Sequence, residues 1–318
     1  MNRTRQMNHT GQQGVAVIMV LLIVAIATTL ATYIAQQQSL WQRQVESQFD
    51  RTQTRYLGTA GIDWARAVLA DDGASSQTDH AKEMWTLRLP AIPVENGEVI
   101  GAIEDRQGLF NLNNIVRNGV SSAADVAQFQ RLLELLGLPP QLAPALADWI
   151  DEDSLAQHPG GAEDGYYLAL AQPYRTANRP LTELGELVLV KDFDADMIAR
   201  LQPFVSVLPK TTSINVNFAP PEVLAAVIKN MSLTDARTLV HQRTETPFTN
   251  VAEFTDALKQ FNAQQQFGGI QPVVNDLTVS SQYFWVTGHA TVGQAQVTTQ
   301  ALLHRLNNWP VIVWKSVQ

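Results

Sequence analysis

The pattern of apolar and polar residues divides the chain into a long helical start, a strand pair, a helical middle and a strand-rich end. Val15–Ala35 is apolar and uncharged, and behind it apolar residues recur at helical spacing as far as Ala70. Asp71-Asp72-Gly73 supplies residues typical of a helix end. The recurring apolar positions of the second part are Trp41, Val45, Phe49, Tyr56, Ile62, Ala65 and Leu69. We therefore predict one helix over residues 15–72, with its first half in a membrane and its second half packed on a domain.

The apolar segment is long enough to cross a lipid bilayer. A helix rises about 1.5 Å per residue, so Val15–Ala35 spans about 31 Å, which matches a hydrocarbon core. Arg3 and Arg5 precede this segment. Because positive charge stays on the cytoplasmic side, we expect a single-pass inner-membrane protein with a cytoplasmic N-terminus and its bulk in the periplasm.

Three interpretations of this segment are open from the residues alone. A cleaved secretory signal would be shorter and would end in a small-residue cleavage motif, whereas here no polar region with a turn follows. An ordinary single-pass anchor fits the length and the charge. A type IV prepilin-like leader over residues 1–14 also fits, because Gly14 stands directly before the apolar helix. Cleavage between Gly14 and Val15 would leave Val15 as a new N-terminus for methylation by prepilin peptidase.

The fifth residue after that cleavage is Met19, where most pilin-like subunits carry a glutamate. In those proteins the carboxylate pairs with the amino terminus of the subunit assembled just before. An unpaired carboxylate in lipid is costly, so a subunit without a predecessor does better with an apolar residue. Met19 therefore favours a place at the tip of a filament, or a role in initiation.

Strand patterns bracket the helical middle of the chain. Trp85–Leu89 alternates like a strand, Glu95-Asn96-Gly97-Glu98 is a turn signal, and Val99–Asp105 is the predicted partner strand. Later strands are predicted over Leu277–Gly288, Ala290–Leu303 and Val311–Trp314. The predicted fold class is α+β, with the long helix packed on an antiparallel sheet from residues 73–109 and 271–318. A large all-helical insertion domain occupies residues 110–270.

The helical block contains two copies of one short pattern. Phe110-Asn111-Leu112-Asn113-Asn114 resembles Ile214-Asn215-Val216-Asn217-Phe218, and a pair of helix patterns follows each. The second copy resembles helix-hairpin-helix modules, whose glycine-rich hairpins offer backbone N–H groups to DNA phosphates. The loop Asn230–Thr234 has no glycine, and the loop of the first copy has only Gly137. We interpret both copies as packing units, with a nucleic-acid interface as the alternative.

Composition removes several functional classes. The 318 residues suffice for two domains beyond the helix. The net charge of −8 disfavours broad binding to nucleic acid or to anionic membranes. The absence of cysteine excludes disulfides, a cysteine nucleophile and a cysteine-based zinc site. Acidic ligands for a hard cation such as calcium remain available.

The densest polar region lies between the two copies. It comprises Ala147–Asp153, Gly160–Tyr167, Pro173–Leu181 and Glu186-Leu187. Oxygen-bearing side chains dominate, glycines allow tight turns, and no histidine or cysteine is placed for zinc. This chemistry suits calcium, although the ligand spacing of an EF-hand is absent. The alternatives are an acidic surface loop with helix caps and a catalytic carboxylate pair, but no nucleophile or base accompanies such a pair.

A second acidic cluster spans Asp192–Asp196. It fits an N-cap with acidic first-turn residues for a helix through Leu201, and a contribution to metal binding is the alternative. The scattered histidines are interpreted as surface or core residues rather than ligands. They are His158, His241, His289 and His304.

Taken together, these segments resemble one family. Asp-Trp-Ile-Asp-x-Asp at 148–153, Gly-Ala-Glu-Asp-x-x-Tyr at 161–167, Pro-Tyr-x-x-x-Asn at 173–178 and Glu-Leu at 186–187 form one series. With Ile-Asn-Val-Asn-x-Ala-Pro at 214–220 and a leader that lacks the glutamate, they are similar to the type II secretion minor pseudopilins of the GspK family. The resemblance runs from Gly14 to the last strands.

The resemblance implies a type IV pilin-like fold with a large helical insertion and structural calcium near the junction. Carried onto this chain, the calcium ligands would be Asp151, Asp153, Glu163, Asp164, Asn178 and Glu186. It also implies a tip complex with the minor pseudopilins GspI and GspJ, together with GspH and the major pseudopilin GspG. Prepilin peptidase and the inner membrane complete the expected partners, and no nucleic acid is expected.

The resemblance and the residues lead to one functional expectation. We expect a non-enzymatic subunit at the tip of the type II secretion pseudopilus, which initiates or caps its assembly for export of folded proteins from the periplasm. The helical block would clash with a subunit stacked above it, which suits a cap. The alternative is a membrane-anchored DNA-binding or DNA-uptake protein that uses the hairpin-like copies. A membrane-tethered hydrolase would need a nucleophile with a base, and the sequence shows none.

Overall fold

The computed structural model describes residues 12–88, 90–262, 276–307 and 309–318. Its helices are α1 (Gln12–Ser75), α2 (Ala123–Leu135), α3 (Leu142–Ile150), α4 (Asp164–Tyr167), α5 (Ala195–Leu201), α6 (Pro221–Val227), α7 (Leu233–Glu245) and α8 (Val251–Asn262). Its strands are β1 (Ile92–Val94), β2 (Gly97–Asp105), β3 (Phe110–Asn111), β4 (Val116–Arg117), β5 (Val120–Ser121), β6 (Val205–Ser206), β7 (Ile214–Asn215), β8 (Leu277–Thr278), β9 (Tyr283–Val292), β10 (Ala295–His304) and β11 (Val311–Val317). Short 3₁₀ helices cover Met84–Thr86, Leu112–Ile115 and Leu184–Leu189. The expectations for Arg3, Arg5 and Leu89 and for residues 263–275 lie outside the described residues.

Helix α1 is continuous from the membrane segment to the sheet. Residues 14–49 are exposed along their whole length, or about 54 Å of helix at about 1.5 Å per residue. Among the described residues, α1 is the one helix long and apolar enough to cross a membrane. The predicted helix end at Asp71-Asp72-Gly73 lies just before the observed end at Ser75.

The apolar positions of α1 divide into two faces, which corrects the prediction of one packed stripe. Ile62, Ala65 and Leu69 are buried against the sheet. Val45, Phe49 and Tyr56 are exposed, and Tyr56 has 73% of its surface accessible. At 100° per residue, these two groups are centred roughly 150° apart around the helix. Each group has helical spacing of its own, and the two groups follow one another along α1. The spacing alone therefore did not show that they lie on different faces.

The fold class is the predicted one: α1 packs on an antiparallel sheet, and a helical domain is inserted into it. The insertion is not all-helical as predicted, because it also contains the short strands β3 to β7, which are too short to show a strand period in the sequence. The five strands of the sheet follow the order β1-β2-β9-β10-β11. The core between α1 and the sheet is formed by Ile62, Ala65, Leu69, Trp85, Phe284, Val286, Ala301 and Leu303. Gly58 lies directly on Thr299 of β10, and a Cβ at Gly58 would collide with the Thr299 methyl group. This close approach explains why α1 carries a glycine at that position.

The predicted strand at Trp85–Leu89 is wrong over its described part. Residues Met84–Thr86 form a 3₁₀ helix instead. The Trp85 ring lies 5.2 Å from the Phe284 ring in an edge-on arrangement, and its Nε1 donates to Glu83 Oε2 at 2.8 Å. Packing of this large ring therefore overrides the local alternation. The partner of β2 is β1, joined through the predicted turn, where Asn96 has a φ of 58°.

The turns between the C-terminal strands also differ from the prediction. The run predicted from Leu277 to Gly288 is two strands, because β8 pairs with β7 in the insertion while β9 joins the main sheet. The turn between β9 and β10 falls at Gly293, where φ is 54°, and not near Gly288. Gly288 instead lies within β9, opposite Gly101 and Thr299.

The insertion leaves the sheet at its end farthest from the membrane segment. It departs from the end of β2 and returns at the start of β9, where Arg106 N donates to Tyr283 O at 3.1 Å. Arg305, just after β10, pairs with Asp72 near the C-terminal end of α1 at 2.9 Å and with buried Asp79 at 2.6 Å. The opposite end of the sheet, at Gly293, lies beside Asp50 of α1. The insertion therefore forms a head beyond the sheet.

Buried asparagines join the segments of the two repeated copies. Asn113 Nδ2 donates to Leu181 O at 3.0 Å and to Leu208 O at 2.9 Å, and Asn113 Oδ1 accepts from Leu181 N at 2.8 Å. In the second copy, Asn217 makes the same kind of bridge to both backbone groups of Phe248. The copies also carry short parallel strand pairs, β3 with β6 and β7 with β8. The asparagine repeat thus satisfies backbone groups inside the insertion.

Replacing Asn113 with alanine should destabilise the insertion by about 3 kcal/mol, because it leaves three backbone groups without a partner. Urea unfolding monitored by tryptophan fluorescence measures this loss. Val120→Ala is the matched control, because Val120 is 65% exposed and its truncation should change stability by less than about 0.5 kcal/mol. Equal unfolding midpoints for the two variants would contradict this role of Asn113.

Candidate metal centre

The predicted metal region begins at the end of α3. Asp148 lies in the last turn of α3, and Asp151 caps the helix by donating its N–H to Ala147 O at 2.9 Å. Residues three positions apart lie on one side of a helix, so these two carboxylates are neighbours. Every residue of α3 is buried in the core of the insertion, which fixes the position of this turn.

The opposite wall of the site is the segment 157–163, which folds back over Asp148. Gln157 N donates to Asp148 Oδ2 at 3.0 Å. Gly161 passes so close to this carboxylate that a Cβ would collide with Asp148 Oδ2. The segment then places Glu163 directly before α4, where the side chain is buried. Local glycine geometry therefore brings a second acidic segment against the end of α3.

Asp151, Asp153 and Glu163 meet in one cluster. One carboxylate oxygen of each lies within 4.8 Å of the other two. Asp151 and Glu163 are buried, whereas Asp153 is exposed and opens the site to solvent. Asp151 Oδ1 and Glu163 Oε1 have no hydrogen-bond partner among the described residues. Because unpartnered buried oxygens are costly, the cluster calls for a proton or a cation.

The negative charges of the cluster repel one another. Burial, followed by the charges of Asp148 and Asp151, raises the pKa of Glu163 to about 7. Burial, followed by the charges of Asp153 and Asp148, raises the pKa of Asp151 to about 6. A bound cation would reverse both effects, because a nearby positive charge favours the ionised carboxylate.

The donor set fits calcium. All three side chains offer oxygen, and none offers the nitrogen or sulfur that zinc prefers. The ligands come from loop positions of unequal exposure. Calcium tolerates such an arrangement because its geometry is flexible, whereas magnesium demands a near-ideal octahedron.

The structure places the predicted ligand Asp164 outside this cluster. Asp164 Oδ1 accepts from Thr176 N and Thr176 Oγ1, both at 3.1 Å. Its other oxygen pairs with Arg175 at 3.2 Å. The carboxylate thus holds the segment after Pro173 against α4, and its charge adds to the shift of the Glu163 pKa.

Glu186 is also placed apart from the cluster, whereas Asn178 lies beside the end of α3 and stays a predicted ligand. Glu186 accepts from Thr182 N at 2.6 Å and pairs with Arg179 at 3.2 Å. Burial raises the pKa of Glu186, but the hydrogen bonds from Thr182 outweigh it and lower the pKa overall. The Asn178 backbone N–H donates to Trp149 O at 3.0 Å, and its φ of 44° is left-handed.

Asp148 belongs to the site, although the ligand set expected from the resemblance omits it. Asp148 is fully buried, and the negative charge of its carboxylate helps to raise the pKa of both Asp151 and Glu163. The signal was present in the sequence, because Asp148 and Asp151 are three positions apart at a helix end. What the sequence did not show is that residues 157–161 fold back onto Asp148.

A cluster of aromatic rings packs around Trp149, next to the acidic cluster. The Trp149 ring lies 5.2 Å from the Tyr167 ring and 6.1 Å from the Tyr174 ring, both edge-on. Tyr174 donates its hydroxyl proton to Leu189 O at 2.9 Å. Lys191 Nζ donates to Gly160 O at 3.3 Å and lies over the Tyr166 ring. These contacts hold the acidic loop to the region around the 3₁₀ helix Leu184–Leu189.

The remaining candidates from the sequence have structural roles. Asp194 caps α5 by accepting from Met197 N at 2.7 Å, as predicted for an N-cap. The hairpin of the first copy ends at Gly137, where Arg200 donates to Leu136 O. A further acidic group, Asp72 with Asp79 and Glu83, contains Arg305 as its counter-ion.

Comparison with known proteins identifies the family. Family models described as type II secretion system protein K match residues 108–210 and 214–280. Type II secretion system protein K of Pseudomonas aeruginosa is 34% identical over 93% of this chain and 89% of its own length. The corresponding protein of Klebsiella pneumoniae is 34% identical over 94% of each chain.

A solved structure agrees with the sequence matches. It is the crystal structure of the GspK-GspI-GspJ complex from the type 2 secretion system of enterotoxigenic Escherichia coli. One of its chains superposes with a TM-score of 0.72 at 26% identity, over 86% of this chain and 99% of that one. These matches give no support to the DNA-binding alternative. The chain therefore belongs to the type II secretion system protein K family.

Proposed function

We propose that this chain is the minor pseudopilin at the tip of a type II secretion pseudopilus, where it initiates or caps assembly. Family membership makes it a minor pseudopilin, a structural component of a protein transport system. The observation that supports a position at the tip is where the insertion lies in the molecule. The head lies beyond the sheet, at the end of α1 farthest from the membrane segment. A subunit stacked above would meet this head, whereas subunits below would meet α1 and the sheet.

The processing and topology follow from the start of α1. The apolar helix supports a single membrane anchor. We propose that prepilin peptidase cuts between Gly14 and Val15 and methylates Val15, with the N-terminus cytoplasmic and the bulk periplasmic. Gly14 and Val15 are exposed within α1, and Met19 lies one helical turn further on. An apolar Met19 needs no partner charge in lipid, which suits the first subunit of a filament.

The partners we propose are other pseudopilins of the same system. The solved relative is crystallised with GspI and GspJ. We propose that the counterparts of these two proteins bind this chain at the tip, above counterparts of GspH and of the major pseudopilin GspG. In this assembly the chain acts as a structural subunit and not as an enzyme.

We further propose that Asp151, Asp153 and Glu163 hold a structural calcium ion. Their unpartnered buried oxygens and their oxygen-only chemistry support this ion. Buried Asp148 would add a further negative charge beside these ligands. The bound ion supplies positive charge that lets these carboxylates ionise side by side. The acidic loop then stays folded against α3, and the head keeps its shape.

Calcium should raise the melting temperature of the protein, because a ligand that binds only the folded state stabilises it by about 2.7 kcal/mol at a hundred times its Kd. Asp151→Ala combined with Glu163→Ala should abolish this shift. Glu186→Gln is the matched control and should keep it, because Glu186 is held by Thr182 and Arg179. Differential scanning calorimetry with calcium and with chelator makes the measurement. An unchanged wild-type melting temperature would exclude the proposed ion.

Without calcium, stability should fall as pH rises from about 5 to about 8. The folded state raises the pKa of Asp151 to about 6 and of Glu163 to about 7, so it binds these protons more tightly than the unfolded chain does. The stability that these groups contribute is fully present below their unfolded pKa values of about 4, and it is lost as pH rises through their folded pKa values. Melting in chelator across this range tests the slope. Asp151→Asn with Glu163→Gln should flatten it, and a slope of the opposite sign would contradict the assignment.

Antibody against this chain should label pseudopili at one end only, seen by electron microscopy of gold-labelled filaments. Gly14→Leu is the matched control. That variant should keep its leader, remain in the membrane fraction and leave the filaments unlabelled, which N-terminal sequencing and fractionation record. Gold particles along the filament length would overturn the tip position, and removal of the leader from the variant would overturn the processing site.

A further inference from the structure

The two edges of the sheet differ in how strongly they are protected against pairing. At one edge, β1 is three residues long and contains Pro93, which has no N–H to offer a further strand. At the other edge, β11 spans Val311–Val317 without proline or glycine. Within the described residues, β11 pairs with β10 alone, so its outer backbone groups have no strand beside them.

The exposed edge strand is apolar. Val311, Ile312, Val313 and Trp314 are between 39% and 49% exposed. Lys315 is the charged residue of β11, and it is turned towards α1, where its Nζ donates to Thr59 Oγ1 at 3.2 Å. Lys315 and the irregular pairing at Val313 are the two features of β11 that oppose edge pairing, and the rest of this long apolar edge strand is a template for pairing with another chain. Among protein partners, an extended backbone is the one that matches a row of N–H and C=O groups at strand spacing, so the occupant that fits this edge is a strand.

The edge strand lies on one defined side of α1. Besides the Lys315–Thr59 contact, Arg66 Nε donates to Pro310 O at 2.8 Å, just before β11. The Arg66 guanidinium also lies 5.1 Å from the centre of the Trp309 ring. These contacts place β11 beside the face of α1 that carries Thr59 and Arg66.

The same face of α1 continues towards the membrane as an exposed aromatic stripe. We define this stripe as Trp41, Val45, Phe49 and Tyr56, which are 48% to 73% exposed. At 100° per residue, these four positions together with Thr59 and Arg66 fall within an arc of about 100°. The stripe and β11 therefore lie on the same side of the molecule, which is apolar apart from Asp63, Arg66 and Lys315.

The stripe lies mostly outside the lipid. Counted from Ala35, Tyr56 lies about 31 Å further along α1, and Phe49 about 21 Å. The residues that the structure describes leave these side chains exposed, since the buried face of α1 is the one with Ile62, Ala65 and Leu69. A protein that covers both the stripe and β11 must run alongside α1 from the membrane to the sheet. A second membrane-anchored subunit with a long helix of its own has that shape.

A cavity beside Trp314 adds a place for a side chain of the missing strand. It has a volume of about 280 Å³ and lies between the sheet and the insertion. Trp314 stacks on Trp285 at 5.3 Å at its wall, and Leu184, Val207 and Leu208 line the other side. Pairing supplies main-chain hydrogen bonds, and such a pocket selects alternate side chains.

We propose that a strand of a neighbouring membrane-anchored pseudopilin pairs with the outer edge of β11, while the helix of that subunit lies along the aromatic stripe. The inference rests on the proposed function, because it takes its partner from the pseudopilus tip. The partner strand carries apolar residues at alternate positions, one of which enters the cavity beside Trp314. The complex thereby extends the sheet beyond β11.

The test uses the full chain in detergent, with the GspI and GspJ counterparts of the same secretion system as probes. Hydrogen exchange followed by mass spectrometry reports the β11 amides, which should become protected when the partners bind. Val313→Lys should weaken the complex about tenfold or more by placing a charge at the edge. Val313 suits this change because the register shift at Leu302/Leu303 leaves it unpaired with β10. Ile92→Lys is the matched control, since Ile92 is 45% exposed on the opposite edge strand and should not affect binding.

Each other outcome overturns the proposal in a different way. A complex that forms without protecting β11 overturns the edge pairing and leaves the proposed function intact. Equal weakening by Val313→Lys and Ile92→Lys overturns the choice of edge. Protection of β11 that depends on protein concentration without any partner shows that a second copy covers the edge. Failure of the wild-type chain to bind either partner overturns both the edge pairing and the tip assignment.

Discussion

One backbone must serve in lipid and in water, and helix α1 solves this by keeping its hydrogen bonds internal along its whole length. Because the helix does not need to end at the bilayer surface, it carries the folded part of the chain away from the membrane. A buried face begins only in the second half, where Thr54, Ile62, Ala65 and Leu69 meet the sheet. The sheet, and then the inserted head, are placed by the length of this helix.

Buried polar side chains hold the head together and attach it to the sheet. Asn113 and Asn217 each bridge backbone groups of segments distant in sequence. At the junction, the Arg305 guanidinium joins buried Asp79 to Asp72 of α1 and also donates to Ser281 O at 3.0 Å. A charge-assisted network of this kind fixes orientation as well as distance. The position of the head over the end of α1 depends on these contacts.

The acidic cluster differs from these networks, because two of its buried carboxylate oxygens have no hydrogen-bond partner among the described residues. Asp151, Asp153 and Glu163 are held close together by the end of α3 and by the glycine-rich segment that folds over Asp148. Their mutual repulsion and their burial raise two of the pKa values towards neutrality. Structure that concentrates like charge in this way is strained until a proton or a cation arrives. The proposed calcium ion would thus make the loop part of the rigid head.

The sequence by itself determined the continuous helix, the α+β class and the helical insertion, because hydrophobic periods of long segments are strong and local signals. It also indicated the acidic region, since Asp151, Asp153 and Glu163 belong to a dense run of acidic residues and glycines. Only the tertiary structure decided that Glu186 and Asp164 turn to other partners while Asp148 joins the cluster, because those choices depend on contacts between distant segments. The same holds for Trp85, whose ring packs on Phe284 and ends the local strand pattern. It holds again for α1, where packing on the sheet alone decided which of its two apolar faces is buried and which stays open to a neighbour.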